Sequence, residues 1–301
     1  MTTTRIDPDS PTARLAVVIP VGPREDLAEL ADTLDSVRAY TPTDTLLLIV
    51  NDGARYAVHR VAARSRLTAE VLDLPGDGHG VAGGLTWTVA QGLRRALHHQ
   101  DVDVVLRMDT DALVIGPGLE GAARAAFAAN PGAGLLGSFD RISTGEVRDF
   151  GPAAWAMRQD LGADRSRHPV WSLTLRRALR KARRNGYVDG EHALGGAHLV
   201  SRECLRRMAA AGLLPAAGVV TSRMGEDQFL GLVVRAVGLR TLDFATGSKP
   251  FALRWHGLPA TPPELVAQGK LVVHSVKSRD GLDGSEVREW FTNRRVAGAA
   301  V

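Results

Sequence analysis

Residues 15–21 form a run with no polar side chain. A strand of that kind has to be covered on both faces, as a parallel strand lying between helices is. The pattern recurs. Strands are expected at 45–50, 69–74, 102–108 and 134–139, separated by stretches of helical character. In the first of these, Leu27, Leu30, Ala31, Leu34 and Val37 share one face at a spacing of 3.6. Further helices are expected over 59–67, from the glycine-rich loop 75–84 through Leu97, within 116–130, over the basic stretch 172–184 and over 285–295. Strands alternating with helices imply an α/β fold with a mostly parallel central sheet. Between 140 and 190 the pattern is less regular. There is no internal repeat and no Pro/Gly/Ser linker, so 301 residues are expected to form one domain behind a flexible N-terminal arm, residues 1–13.

Composition narrows the function classes. Cys204 is the only cysteine, which excludes an intrachain disulfide or a multi-cysteine zinc site and points to a reducing cytoplasm. The 37 Lys and Arg against 33 Asp and Glu give a net charge of +4, but only four of the cations are lysines. This bias, with many Ala and Gly, reads as GC-rich coding and not as selection for nucleic acid; no recognised nucleic-acid module or aromatic platform accompanies the charge. No apolar run reaches the roughly 18 residues of a membrane span, and the polar start, with Asp7 and Asp9, lacks the apolar core of a secretory signal.

Chemistry is concentrated where strands end. The second strand runs into Asn51-Asp52-Gly53 and the fourth into Asp109-Thr110-Asp111, the carboxyl edge at which open α/β sheets bind ligands. Two carboxylates one residue apart can converge on a hard cation such as Mg2+ or Mn2+, held together with substrate phosphates. Asp227 and Glu226 open a helix whose apolar face is Leu230, Val233, Val234 and Val237. Helix-capping acids are common, and the dipole there keeps a carboxylate ionised.

The order of these segments resembles the GT-A glycosyltransferases, in particular glycosyltransferase family 2. Val17-Val18-Ile19-Pro20-Val21 is similar to that family's first nucleotide-binding strand, and Val50-Asn51-Asp52-Gly53-Ala54 to its V-D-D-G-S segment. Gly80-Val81-Ala82-Gly83-Gly84 stands where the family has a glycine-containing loop, and Leu106-Arg107-Met108-Asp109-Thr110-Asp111 resembles its D-x-D strand. Leu194-Gly195-Gly196-Ala197-His198-Leu199 resembles the acceptor-side glycine loop, and Met224-Gly225-Glu226-Asp227-Gln228-Phe229-Leu230 the G-E-D-x-x-L helix start. The family's Tyr-Asn after the first strand is replaced by Gly22-Pro23, and Asn51 and Ala54 replace the first Asp and the Ser of its second motif.

The resemblance implies a GT-A (Rossmann-like) fold with a nucleotide-sugar-binding half, 14–115, and an acceptor-binding and catalytic half, 116–301. It implies a metal-dependent, inverting transfer of one sugar from a nucleoside-diphosphate sugar, UDP-linked, to an acceptor hydroxyl on a glycan, glycolipid or small metabolite. Pro20, Val21, Asp52, Arg107, Asp109, Gly195 and Gly196 would bind the donor. Asp109 and Asp111 would hold Mn2+ or Mg2+ with a downstream histidine, His274 first and His256 as the alternative. Asp227 would be the general base, with Glu226 orienting the loop or the acceptor. The Q-x-x-R-W motif of processive synthases is absent. A sugar-nucleotide-forming nucleotidyltransferase and a non-catalytic nucleotide-sugar-binding protein are the competing readings. The stretch 165–184, rich in arginine and with Trp171, Leu175, Ala178, Leu179 and Ala182 on one face, reads as a basic amphipathic helix able to rest on anionic lipid, meet an acidic acceptor, or simply cover the core.

Overall fold

The computed structural model describes residues 14–53, 57–80, 82–142, 145–162, 166, 168–278, 281 and 283–299; the arm 1–13, Ala54, Val81, Arg165 and Arg167 lie outside them. The chain runs β1 (Arg14–Val21), α1 (Leu27–Tyr40), β2 (Leu46–Asn51), α2 (Ala57–Arg64), β3 (Thr68–Asp73), α3 (Gly83–His98), β4 (Val102–Met108), β5 (Ala112–Val114), α4 (Leu119–Ala129) and β6 (Ala133–Gly137). It continues through α5 (Gly151–Leu161), α6 (Pro169–Arg184), β7 (Ala197–Ser201), α7 (Arg202–Ala210), α8 (Glu226–Ala236), β8 (Arg240–Asp243), β9 (Phe251–Leu253), α9 (Pro262–Ala267), β10 (Val272–His274) and α10 (Gly284–Ala299).

Seven strands form one sheet in the order β3-β2-β1-β4-β7-β6-β8. All neighbours are parallel except β7, which runs antiparallel to both β4 and β6. The mostly parallel sheet expected from the alternation is therefore present, with one reversed strand next to the central β4. Because side chains alternate across a strand, β1 sends Ala16 and Val18 into a core shared with α3, α6, α7 and α8, and Leu15, Val17, Ile19 and Val21 into a second core shared with α1, α2 and α4. Both faces are closed, which accounts for the unbroken apolar run.

Helix α5, strand β7 and helix α7 lie outside the sequence pattern for identifiable reasons. Helix α5 buries Ala153, Ala154 and Ala156, small side chains whose period is weak, with Met157 as its large apolar contact. Strand β7 and helix α7 follow the Gly195-Gly196 pair directly, so a segment read as loop through Leu199 becomes strand at Ala197.

A small second sheet, β5-β10-β9, covers the carboxyl end of β4. Antiparallel pairing sets His274 opposite Ala112, Val273 opposite Leu113 and Val272 opposite Val114. The register brings a histidine from near the end of the chain beside Asp111. Helix α10 returns to α1: Arg288 donates to Asp32 Oδ2 at 2.7 Å and to the Thr110 carbonyl at 2.9 Å, and Arg295 pairs with Asp32. Thr33 Oγ1 donates to the same Thr110 carbonyl at 2.6 Å. The turn between Asp109 and Asp111 is thereby anchored from both ends of the chain. No helix among the described residues is long and apolar enough to cross a membrane.

Candidate active site

A cleft of about 730 Å3 opens at the carboxyl ends of β1, β2 and β4. Pro20, Asp52, Arg107, Asp109, Asp111, Gly195, Gly196, Glu226, Asp227, His256 and His274 all border it. Of the expected site residues only Val21 is absent from its wall. Period-two alternation turns that side chain into the core under α1, and Pro20 faces the cleft instead.

At one end Asp109, Asp111 and His274 bring one ligand atom each to within 4.8 Å of one another. His274 Nε2 stands 3.2 Å from Asp111 Oδ1 and 3.8 Å from Asp109 Oδ2. Its Nδ1 lies 2.9 Å from the Arg254 carbonyl, an acceptor only, so Nδ1 carries a proton and in the neutral ring Nε2 offers its lone pair towards the two carboxylates. Two carboxylates and an imidazole lone pair converging on one point fit a hard divalent cation. His256 borders the cleft but does not belong to this group.

Lys277 reaches the same point, with Nζ 2.9 Å from Asp111 Oδ2, and Ser275 Oγ donates to that oxygen at 2.8 Å. Burial alone would raise the Asp111 carboxyl, but His274 and Lys277 outweigh it and hold the group well below the usual carboxylate range. Glu25, also on the wall, accepts from Thr110 Oγ1 at 2.5 Å. Burial pushes Glu25 up, reinforced by the charges of Asp109 and Asp111.

Beneath the cleft lies a buried charged cluster. Arg107 Nη2 is 2.8 Å from Asp109 Oδ1 and 3.4 Å from Glu226 Oε2. His198 Nε2 is 3.3 Å from Glu226 Oε1, though not aligned for a hydrogen bond. Burial disfavours the charged form of both Arg107 and Glu226, but Asp109 and then Glu226 outweigh it at the guanidinium, which is held above its ordinary value, and Arg107 with His198 outweighs it at the Glu226 carboxyl, which is held below. Glu226 thus points under the site, linking the start of α8 to the metal-ligand strand.

Asp227 stands on the cleft side of the same helix turn. Oδ1 accepts from the Gln228 amide at 2.8 Å and Oδ2 from the Gly195 amide at 3.0 Å, which leaves lone pairs on both oxygens. His192 Nε2 lies 3.6 Å from Oδ2. Behind it, Arg148 Nη2 is 2.7 Å from His192 Nε2, and Arg148 Nη1 donates to the carbonyls of Ser138 and His192. Burial pushes Arg148 down to about 10. Arg148 and His192 carried no local sequence signal, because tertiary packing alone brings them to Asp227. Lys277, three residues past His274, was within reach of a spacing argument.

Asp52 is more committed than a free nucleoside contact. Its Oδ2 accepts from the His79 amide and Thr88 Oγ1, both at 3.0 Å, and Oδ1 lies 2.5 Å from His79 Nδ1. One lone pair on Oδ1 remains for a ligand, and the carboxylate also fixes the loop that carries His79.

Two consecutive residues join the two ends of the cleft. The Gly195 amide bonds Asp227, while the Gly196 carbonyl accepts from the Asp109 amide at 2.8 Å and its α-carbon packs against the His274 ring.

No protein-family model matches the chain, and no curated protein matches it. Among solved structures it is similar to galactosyltransferase LgtC in complex with donor and acceptor sugar analogues, at 16% identity over 94% of this chain and 95% of that one, with a TM-score of 0.48. It is similar to the mannosyltransferase PcManGT from Pyrobaculum calidifontis in complex with GDP-Man and Mn2+, at 15% identity over 99% and 67% of the two chains and a TM-score of 0.46. It is also similar to S. aureus TarS 1-349 in complex with UDP-GlcNAc, at 12% identity over 90% and 60%, with a TM-score of 0.47. At this identity and overlap the likeness carries nothing about chemistry, which is read from the chain's own residues.

Proposed function

We propose that this protein is a metal-dependent, inverting glycosyltransferase of the GT-A type, moving one sugar from a nucleoside-diphosphate sugar to an acceptor hydroxyl. The observation that carries the reading is the Gly195-Gly196 bridge, which sets a partly solvated carboxylate, Asp227, in the same cleft as the convergent Asp109, Asp111 and His274. Residues 14–115 supply the donor side through Pro20, Asp52, Asp109 and Asp111, and residues 116–301 supply Asp227 and the acceptor side.

Asp109, Asp111 and His274 would hold Mn2+ or Mg2+, which would supply Lewis-acid neutralisation of the charge on the departing diphosphate. Lys277 directs a further cation to the same place, and Arg107 fixes the Asp109 carboxylate from below. Asp227 accepts the proton of the acceptor hydroxyl as that oxygen bonds to the anomeric carbon and the carbon–oxygen bond to the diphosphate breaks. Glu226 positions this machinery without touching the reacting atoms.

Calorimetric titration with a panel of nucleoside diphosphates and their sugars tests the reading, with Mn2+, Mg2+ and EDTA arms and uridine compounds first. Metal-dependent binding with a preference for one base is expected. Absence of nucleotide binding under every condition overturns it.

A further inference from the structure

Helix α6 contains no acidic residue and six basic ones, Arg176, Arg177, Arg180, Lys181, Arg183 and Arg184. Its inner face, Trp171, Leu175, Ala178, Leu179 and Ala182, is buried in the core against α8. At 100° per residue the positions opposite that face are Val170, Leu173, Arg177, Arg180 and Arg184, a single stripe along the outside of the helix. All five are exposed, Val170 at 60% and Leu173 at 49%.

Arg183 is paired with Asp189, and Arg176 donates to the Leu161 carbonyl. Among the described residues, the side chains of Arg177, Arg180, Lys181 and Arg184 have neither an ion pair nor a hydrogen bond. A charge with no internal partner on a helix free of acids is available for an external one.

The two ends of the stripe differ. At the amino end the exposed side chains are apolar. The turn Val219–Thr221, which carries the exposed Val220, abuts this end through Gly218, whose β-position would lie 3.2 Å from the Trp171 backbone nitrogen. At the carboxyl end Lys181 and Arg184 border a groove of about 550 Å3, which is also lined by Arg207, itself paired with Glu203.

We infer that the outer face of α6 docks on an anionic lipid surface. Valine and leucine at one end suit entry between headgroups, and the arginine row and the basic groove suit the phosphates. A polyanion such as nucleic acid would use the row but gain nothing from Val170 and Leu173. The apolar end also sits beside the cleft: Asp160 accepts from Trp171 Nε1 at 2.8 Å, from Ser222 Oγ at 2.5 Å and from the Arg223 amide at 3.0 Å, and Arg223 borders the cleft that holds Asp227. Docking through this face therefore brings the site to the bilayer. The inference is independent of the transferase reading.

The test is flotation of the full chain with vesicles of phosphatidylcholine alone and of phosphatidylcholine mixed equally with phosphatidylglycerol. Binding to the mixed vesicles only, weakened by added salt, is expected. Each surface arginine is worth about fivefold in partition, so the combined Arg177→Gln, Arg180→Gln and Arg184→Gln variant should lose roughly a hundredfold. Leu173→Ser should lose up to roughly tenfold with all charges intact. Equal binding to neutral vesicles, no binding to the mixed ones, or undiminished binding by the triple variant overturns the inference. So does duplex DNA binding tighter than the vesicles and unaffected by Leu173→Ser, which would make the face a polyanion surface. Should the triple variant not fold, Leu173→Ser and the salt arm decide.

Discussion

A β-carbon on Gly196 would lie 2.3 Å from Nδ1 of His274, and Gly196 holds a φ of +94°. Any side chain there is excluded twice, by backbone conformation and by the imidazole packed over the α-carbon. The ring is held in place by this contact and by the Arg254 carbonyl. Gly196→Ala is expected to cost roughly 1–3 kcal/mol of stability and to weaken Mn2+ binding by displacing His274. Denaturant unfolding and a Mn2+ titration on the same sample check both effects; unchanged Mn2+ affinity would show that the ring's position does not matter to the site.

Lys277 and the metal compete for Asp111, because Nζ already lies 2.9 Å from Oδ2. Lys277→Met should therefore bind Mn2+ more tightly and nucleoside diphosphate roughly tenfold more weakly, the worth of a charge-assisted hydrogen bond. Asp111→Asn should lose the thermal stabilisation that Mn2+ gives the parent protein, about 2.7 kcal/mol at a hundred times Kd. Two variants of one ion pair moving metal affinity in opposite directions separate competition from general damage.

The central strands were legible because burial on both faces leaves no room for polar residues: the run at 15–21 is β1 to within one residue. Asp109 and Asp111 stood out because the strand end places them side by side in sequence. His274 could only be ranked, since its position depends on the three-residue pairing of β10 with β5, too short to carry a period. Arg148 lies in irregular sequence, and the commitment of Asp52 to His79 and Thr88 depends on how a glycine-rich loop closes. Val21 shows the opposite limit: it matches a family motif, yet alternation turns it into the core.

Asp227→Asn is nearly isosteric and keeps one of the two backbone contacts of Asp227, its carbonyl oxygen accepting from either the Gly195 or the Gln228 amide while its NH2 faces the other. It removes the group that takes the proton. With a donor and acceptor identified, turnover is expected to fall roughly 10²–10⁴-fold while donor affinity stays within a factor of about two. Parent-like turnover would remove Asp227 from the role of base, and a matching fall in donor affinity would place it in the donor site instead.

Buried His192 carries a pH signature that an exposed histidine would not. Burial depresses its proton affinity below the ordinary value of 6.5; Arg148 adds to this, and the Asp227 charge only partly opposes it. Between the depressed value and 6.5 the unfolded chain binds a proton that the native chain does not. Stability from this group is therefore complete above pH 6.5 and declines as pH falls through that window, with a slope of up to about 1.4 kcal/mol per pH unit. His192→Gln removes the titrating ring, so its urea midpoint should lack this component of the decline between about pH 7 and 5. Equal slopes in the two proteins would mean that His192 takes up its proton in the folded state as readily as in the unfolded one, and that the Asp227 carboxylate 3.6 Å away is enough to hold it charged.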